Sequence, residues 1–126
     1  MLDSTKIQEE YTALAISWGQ AIEIGDHRVA NKQNNALMRI VKKIQKDIQI
    51  AQNVLIPLFG HSDPAVRLTS SVDALNLGLS IQKAEKILSA VAADENAGVV
   101  QLMAQINLTE WNKKRNTASQ QKDEQN

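Results

Sequence analysis

The side chains of this chain that could carry chemistry are its two histidines, its fourteen carboxylates and its fourteen lysines and arginines. A metal site on a helix needs a second ligand three or four residues after the first, because residues at those spacings share a face. Neither His27 nor His61 is followed at that spacing by another histidine or by a carboxylate. We therefore interpret both histidines as exposed turn residues and predict no metal site.

Catalysis by paired carboxylates or by a serine nucleophile is not indicated either. The acidic pairs Glu9-Glu10 and Asp94-Glu95 are adjacent in sequence, and adjacent residues of a helix point about 100° apart, so they cannot share one site. No Gly-x-Ser-x-Gly turn occurs, and the five glycines do not cluster into a phosphate-binding loop. The sequence therefore predicts no enzyme, no cofactor and no small-molecule substrate.

One group of charged residues is concentrated on a single side of a predicted helix. This basic strip covers roughly a third of the helix circumference at about 100° per residue, and no acidic residue interrupts it between Asp26 and Asp47. Its members are Arg28, Lys32, Arg39, Lys42, Lys43 and Lys46. Two interpretations are open, since the cations either solvate the outer side of an amphipathic helix or bind phosphates or acidic side chains of a partner.

The elements that must position these residues are helices. Apolar residues recur every three or four positions along the chain, and with 3% aromatic residues and only two prolines the signals for strands and hairpins are almost missing. Helix starts are predicted at Asp3 or Ser4, Asp26, Asp47, Asp63-Pro64, Ser80 and Asp94-Glu95-Asn96. The sequence predicts an all-α fold of about six helices in antiparallel pairs, a HEAT/armadillo-like α-solenoid fragment.

The fourth predicted helix differs from the others because apolar residues surround nearly its whole circumference. Only Thr69, Asp73 and Asn76 remain as a polar strip, which predicts a central position for this helix. In a stack of helix pairs the second helices line an inner face, where the strips of the second, fourth and sixth helices are neighbours. The predicted partner-binding residues are therefore Arg28, Lys32, Arg39, Lys43, Thr69, Asp73, Asn76, Gln101 and Gln105.

Length and composition favour one small domain. Residues 1–115 are expected to form a single HEAT-like helical domain, and residues 116–126 a polar, disordered tail with nothing to bury.

The formal net charge is zero, so no overall field directs the chain to nucleic acid or to a membrane. The absence of cysteine favours a reducing compartment, and no apolar run suggests a signal peptide or a membrane span. We expect a cytoplasmic protein.

The run Asp63-Pro64-Ala65-Val66-Arg67 is typical of the second helix of a HEAT repeat. With that run, and with the spacing of several other features along the chain, the protein resembles a family of small bacterial HEAT-like proteins described only as a domain of unknown function. The other matching features are Tyr11, the Gly25-Asp26 turn, Ala30-Asn31, the segment from Leu58 and Trp111. The chain departs from the family pattern at Ser62, where a proline is common, and at residues 69–71, where alanine is usual.

The resemblance implies a function in binding. Members of that family are found among the immunity proteins of polymorphic toxin systems, including contact-dependent growth inhibition. We therefore expect an immunity protein that forms a heterodimer with one cognate toxin domain, a nuclease in our interpretation, and blocks its active site. Two alternatives stay open: a HEAT-like nucleic-acid-binding module that uses the basic strip, or a scaffold or regulatory subunit. A nuclease usually offers a basic cleft, which fits poorly with a mainly basic inhibitor surface.

Overall fold

The computed structural model describes residues 2–125, with the side chains of residues 2–118, and this part of the chain is helical without strands. The six α-helices are α1 (Ser4–Ile24), α2 (His27–Ile44), α3 (Ile48–Leu55), α4 (Pro64–Leu77), α5 (Ile81–Ala92) and α6 (Val99–Gln125). Short 3-10 segments, Ile56–Gly60 and Glu95–Ala97, precede α4 and α6. Pro57 lies in the first of these segments, where the α-helical pattern of α3 ends.

Aspartate caps explain where most helices begin. A side-chain carboxylate accepts backbone N–H groups of the first turn, which have no partner within the helix. This cap is present at Asp3, Asp26, Asp47 and Asp63, and the last is followed by Pro64 at the first helical position. Ser80 precedes α5 as predicted, but its side chain makes no cap hydrogen bond and its φ is 44°. The predicted capping role of Ser80 is therefore wrong.

The helices pack as three consecutive pairs, α1 with α2, α3 and its 3-10 extension with α4, and α5 with α6. The connections are short, so the members of each pair run antiparallel. Helix α4 also packs against α1, α5 and α6, which is the central position that its nearly continuous apolar surface predicts. The all-α fold of six helices in pairs is thus confirmed.

The core lies between these pairs and brings α1 and α4 very close together. Tyr11 and Ala15 of α1 are fully buried, as are Val66 and Ala74 of α4. A Cβ atom added to Gly19 would lie 2.5 Å from the Cβ of Ala65, so the contact between the two helices requires glycine there.

Helix α6 faces the core through a different stripe from the one expected. The three- and four-residue spacing of Val99, Leu102, Met103 and Ile106 in the sequence predicts that these residues face the core. Leu102 and Ile106 are instead 57% exposed, so this prediction is wrong for both of them. The side that packs inward carries Val100, Ala104 and, further along, Trp111. The helix is apolar on two sides, and the shape of the α4–α5 surface selects one of them.

The end of the chain continues α6. The helix extends to Gln125, and the side chains of Asn116, Thr117 and Ala118 are exposed. These residues therefore add nothing to the core, as their composition predicts. That residues 116–126 are disordered stays a prediction.

Candidate functional site

A groove of about 300 Å³ lies between α2 and α4. Helix α2 supplies one wall, with Asn34, Met38 and Lys42 at four-residue spacing along the rim. Buried Leu37 and half-buried Val41 lie beside them on the same helix. The wall from α4 is formed by Leu68, Thr69, Val72, Asp73 and Asn76. The groove is thus mainly apolar, with one carboxylate and one ammonium group at its walls.

Asp73 is the unusual group of the groove. Its Oδ2 accepts a hydrogen bond of 2.5 Å from the hydroxyl of Tyr11, a fully buried residue of α1. Burial raises the pKa of Asp73 to about 6, although the hydrogen bond from Tyr11 acts in the opposite direction. The carboxyl group is therefore mostly ionised at neutral pH, but it becomes protonated at a higher pH than an ordinary aspartate.

The same environment acts on Tyr11. Burial is the main cause that raises the pKa of its hydroxyl well above the ordinary value, and the charge of Asp73 adds to this effect. Tyr11 consequently remains a proton donor across the physiological range. It holds one carboxylate oxygen of Asp73 in place and leaves the other without a hydrogen-bond donor from the described residues.

The basic strip borders this groove. Its six side chains are exposed, and none forms an ion pair within 4.0 Å with any residue whose side chain is described. Lys42 belongs to both features, since it is a member of the strip and lines the groove. Charge that is not neutralised within the protein is therefore presented beside an apolar recess.

The predicted site residues fall into three groups. Thr69, Asp73 and Asn76 line the groove as the polar strip of α4. Exposed cations on α2 form the second group, namely Arg28, Lys32, Arg39 and Lys43. Gln101 and Gln105 form the third, and both donate side-chain hydrogen bonds to the carbonyl oxygen of Ala92 at 3.2 and 3.0 Å. These two glutamines tie α6 to the end of α5 and do not line the groove.

Residues that the sequence analysis did not assign to the site contribute much of the groove. Tyr11 lies in an apolar stripe of the sequence, which predicts a core position, and it is fully buried. The sequence does not indicate the partner of its hydroxyl, which lies 62 residues away. Met38 is 53% exposed within the apolar part of α2. The sequence could have indicated a binding surface at Met38, because methionines beside the polar face of a helix are frequent at adaptable binding surfaces.

The described residues offer neither a metal site nor a membrane-spanning helix. They contain no cluster of three or more histidine, cysteine or acidic side chains that could hold a metal ion. No helix among them is sufficiently long and apolar to cross a lipid bilayer.

Comparison with models of protein families, with curated proteins and with solved structures found no match in any of the three. The features of this chain that bear on its function are therefore the groove, the basic strip and the sequence motifs that carry the resemblance.

Proposed function

We propose that this protein is an immunity protein, which binds a cognate toxin domain through the α2–α4 groove and the adjacent basic strip. The observation that supports the proposal best is the exposed apolar groove between Met38 and Val72. It is bordered by cations that form no ion pair with any side chain that the structure describes. The motif around Asp63-Pro64 adds the resemblance to the small bacterial HEAT-like family, members of which are found among immunity proteins. The toxin is proposed to be a nuclease.

The groove has the chemical character of a protein-binding surface. Interfaces commonly have an apolar centre that excludes water and a polar or charged rim. Here Val41 and Val72 supply part of the apolar centre. Met38, Lys42 and Asn76 supply part of the rim. Methionine adapts its shape to a partner, which suits a surface that must close tightly over another protein.

Inhibition requires only that the toxin's active site is covered. A domain of this size that docks through α2 and α4 would exclude a large substrate sterically, without any catalytic group of its own. Long-range attraction between the basic strip and acidic groups of the partner would raise the association rate more than the final affinity.

Reversing charge on the basic strip tests this function. We expect that a triple variant, Lys32→Glu, Arg39→Glu and Lys43→Glu, will lose protection of a bacterial culture that expresses the cognate toxin domain. Candidate toxins are the C-terminal domains of large secreted proteins encoded beside this gene. The matched control is Lys6→Glu, Lys83→Glu and Lys86→Glu, which changes the net charge equally at exposed positions outside the strip.

Growth of the culture is the measurement, and circular dichroism establishes that both variants are folded. The proposal predicts loss of protection in the strip variant and full protection in the control. Full protection by a folded strip variant would contradict the proposed binding surface. If no neighbouring toxin domain is neutralised even by the unmodified protein, the immunity function itself is wrong.

The basic strip also favours a second candidate function, binding of nucleic acid. A protein that neutralises several phosphates releases counterions, so its affinity falls steeply as salt increases. Titration of the unmodified protein with duplex and single-stranded nucleic acid at low salt distinguishes the two functions. Salt-sensitive binding that disappears in the strip variant supports the second function, whereas no binding at low salt eliminates it.

A further inference from the structure

We propose that the α2–α4 groove is a receptor for one cationic side chain of the partner, an arginine or a lysine, whose charged end pairs with Asp73. This inference rests on the proposed function and specifies the chemistry of the partner at that site. The groove then offers a negative charge to the partner, whereas the basic strip offers positive charges.

The position of Asp73 supports a cation as the occupant. Tyr11 approaches the carboxylate from the core side and occupies Oδ2. The carboxylate lines the groove, and the described residues provide no hydrogen-bond donor to Oδ1. A guanidinium or ammonium group entering the groove would supply that donor and would also neutralise the charge, which makes a charge-assisted hydrogen bond.

The apolar walls fit the aliphatic stem of the same side chain. Arginine and lysine bury their methylene groups against apolar surface while the charged end finds a polar partner. Leu37 and Val41 on α2 face Leu68 and Val72 on α4 across the groove. A volume of about 300 Å³ accommodates one such side chain.

Lys42 restricts which partners can use the groove. It lies on the α2 wall, whereas Asp73 lies on the α4 wall, and the two make no ion pair within 4.0 Å. A partner cation bound to Asp73 is therefore best accompanied by an acidic or hydrogen-bond-accepting group next to Lys42. The groove selects a mixed-charge patch, so a toxin with basic residues around its active site can engage an otherwise basic inhibitor.

Binding of a cation should depend on pH because the carboxylate must be ionised. The ionisable groups that face Asp73 are Tyr11 from α1 and Lys42 from α2, and among residues 2–118 no other ionisable side chain lines the groove. Because burial raises the pKa of Asp73 to about 6, the acceptor is largely ionised above pH 7 and largely protonated at pH 5. Affinity for a cation should therefore fall as the solution is acidified through pH 6.

A small probe tests this directly in the full chain. Butylguanidinium imitates an arginine side chain, and butylurea has nearly the same shape without charge. We expect butylguanidinium to shift amide NMR signals around the groove with a Kd of about 1 mM at pH 7.5, a value suited to so small a ligand. Butylurea and the anion butyrate should bind at least about tenfold more weakly, since neither forms the charged pair.

Variants locate the binding and its pH dependence. Asp73→Asn should weaken butylguanidinium binding about tenfold and abolish its dependence on pH, whereas the unmodified protein should lose about tenfold in affinity between pH 7.5 and pH 5. The control Glu9→Gln removes an exposed carboxylate of α1 and should change neither property. The amide spectrum itself shows whether each variant is folded.

Three results would overturn the inference: no saturable shift of the groove signals in the unmodified protein, equal binding of butylurea, or tighter binding of butyrate. None of them affects the growth-protection test with the basic strip. Conversely, a groove that binds butylguanidinium in a protein that neutralises no toxin would leave the receptor intact and reject the immunity function.

Discussion

Asp73→Asn should make the folded protein more stable at pH 7.5, by about 2 kcal/mol, and should give no such gain at pH 4. The pKa of Asp73 is raised from 3.8 to about 6 in the folded state by burial. Between about pH 4 and pH 6 the folded protein therefore binds more protons than the unfolded chain. Its free energy of unfolding consequently rises as the pH falls through 6. Asparagine has the same shape without charge and can still accept the hydrogen bond from Tyr11.

Urea unfolding at the two pH values measures this effect. The midpoint for Asp73→Asn should lie above that of the unmodified protein at pH 7.5 and coincide with it at pH 4. Glu10→Gln, at an exposed position of α1, is the control and should leave both midpoints nearly unchanged. Equal or lower stability of Asp73→Asn at pH 7.5 would show that the carboxylate is not destabilised by its surroundings.

Gly98→Ala should destabilise the protein by about 3 kcal/mol. Gly98 has φ 61° and ψ −135°, a conformation that residues with a Cβ atom rarely adopt. An added Cβ would also lie 2.5 Å from Oε1 of Glu23. The same carboxylate accepts the backbone N–H of Val99 at 2.9 Å and so caps the first turn of α6. The substitution therefore strains the backbone and displaces the cap together.

Thermal or urea unfolding provides the measurement for this variant as well. Gly60→Ala is the matched control, because Gly60 does not have a positive φ and a Cβ atom there would meet nothing within 4 Å. It should change stability by a small fraction of the effect at Gly98. Similar unfolding midpoints for the two variants would mean that the link between α1 and α6 contributes little.

Local sequence signals predict most of the helical framework, since caps and turn glycines act through neighbouring residues. Asp63 with Pro64 begins α4, and Gly25 and Gly78 end α1 and α4 in the left-handed conformation. The polar strip of α4 could be recognised in the same way, because three polar residues stand out on an otherwise apolar helix.

The remaining part of the site depends on contacts that helical periodicity does not specify. The Tyr11–Asp73 hydrogen bond joins residues 62 positions apart, and nothing near either residue indicates the other. Helix α6 has apolar side chains on two sides, so its rotation is decided by packing. That rotation places Gln101 and Gln105 against Ala92 and leaves Leu102 exposed.

The surroundings of Asp73 support a role in binding, because burial raises the pKa of this carboxyl group and so disfavours its charged form. A valine or asparagine at this position would avoid placing a carboxylate in an apolar groove, whereas this chain has an aspartate there, beside a buried hydroxyl donor. Groups that lower stability in the free state are frequent at functional sites, where a ligand relieves the unfavourable interaction. A partner cation would relieve this interaction by pairing with the carboxylate. Only a partner that places a cation at Asp73 would then bind tightly.

Radical footprinting of the complex tests whether the partner covers the α2–α4 groove. Met38 on the rim is 53% exposed, and Leu102 and Ile106 on α6 are each 57% exposed, so all three can report on their own surroundings. We expect binding of the neutralised toxin domain to reduce labelling of Met38 several-fold and to leave Leu102 and Ile106 as reactive as in the free protein. Unchanged labelling of Met38 with protection of Leu102 and Ile106 would contradict binding at the groove. The partner would then cover the exposed side chains of α6, which do not line the groove.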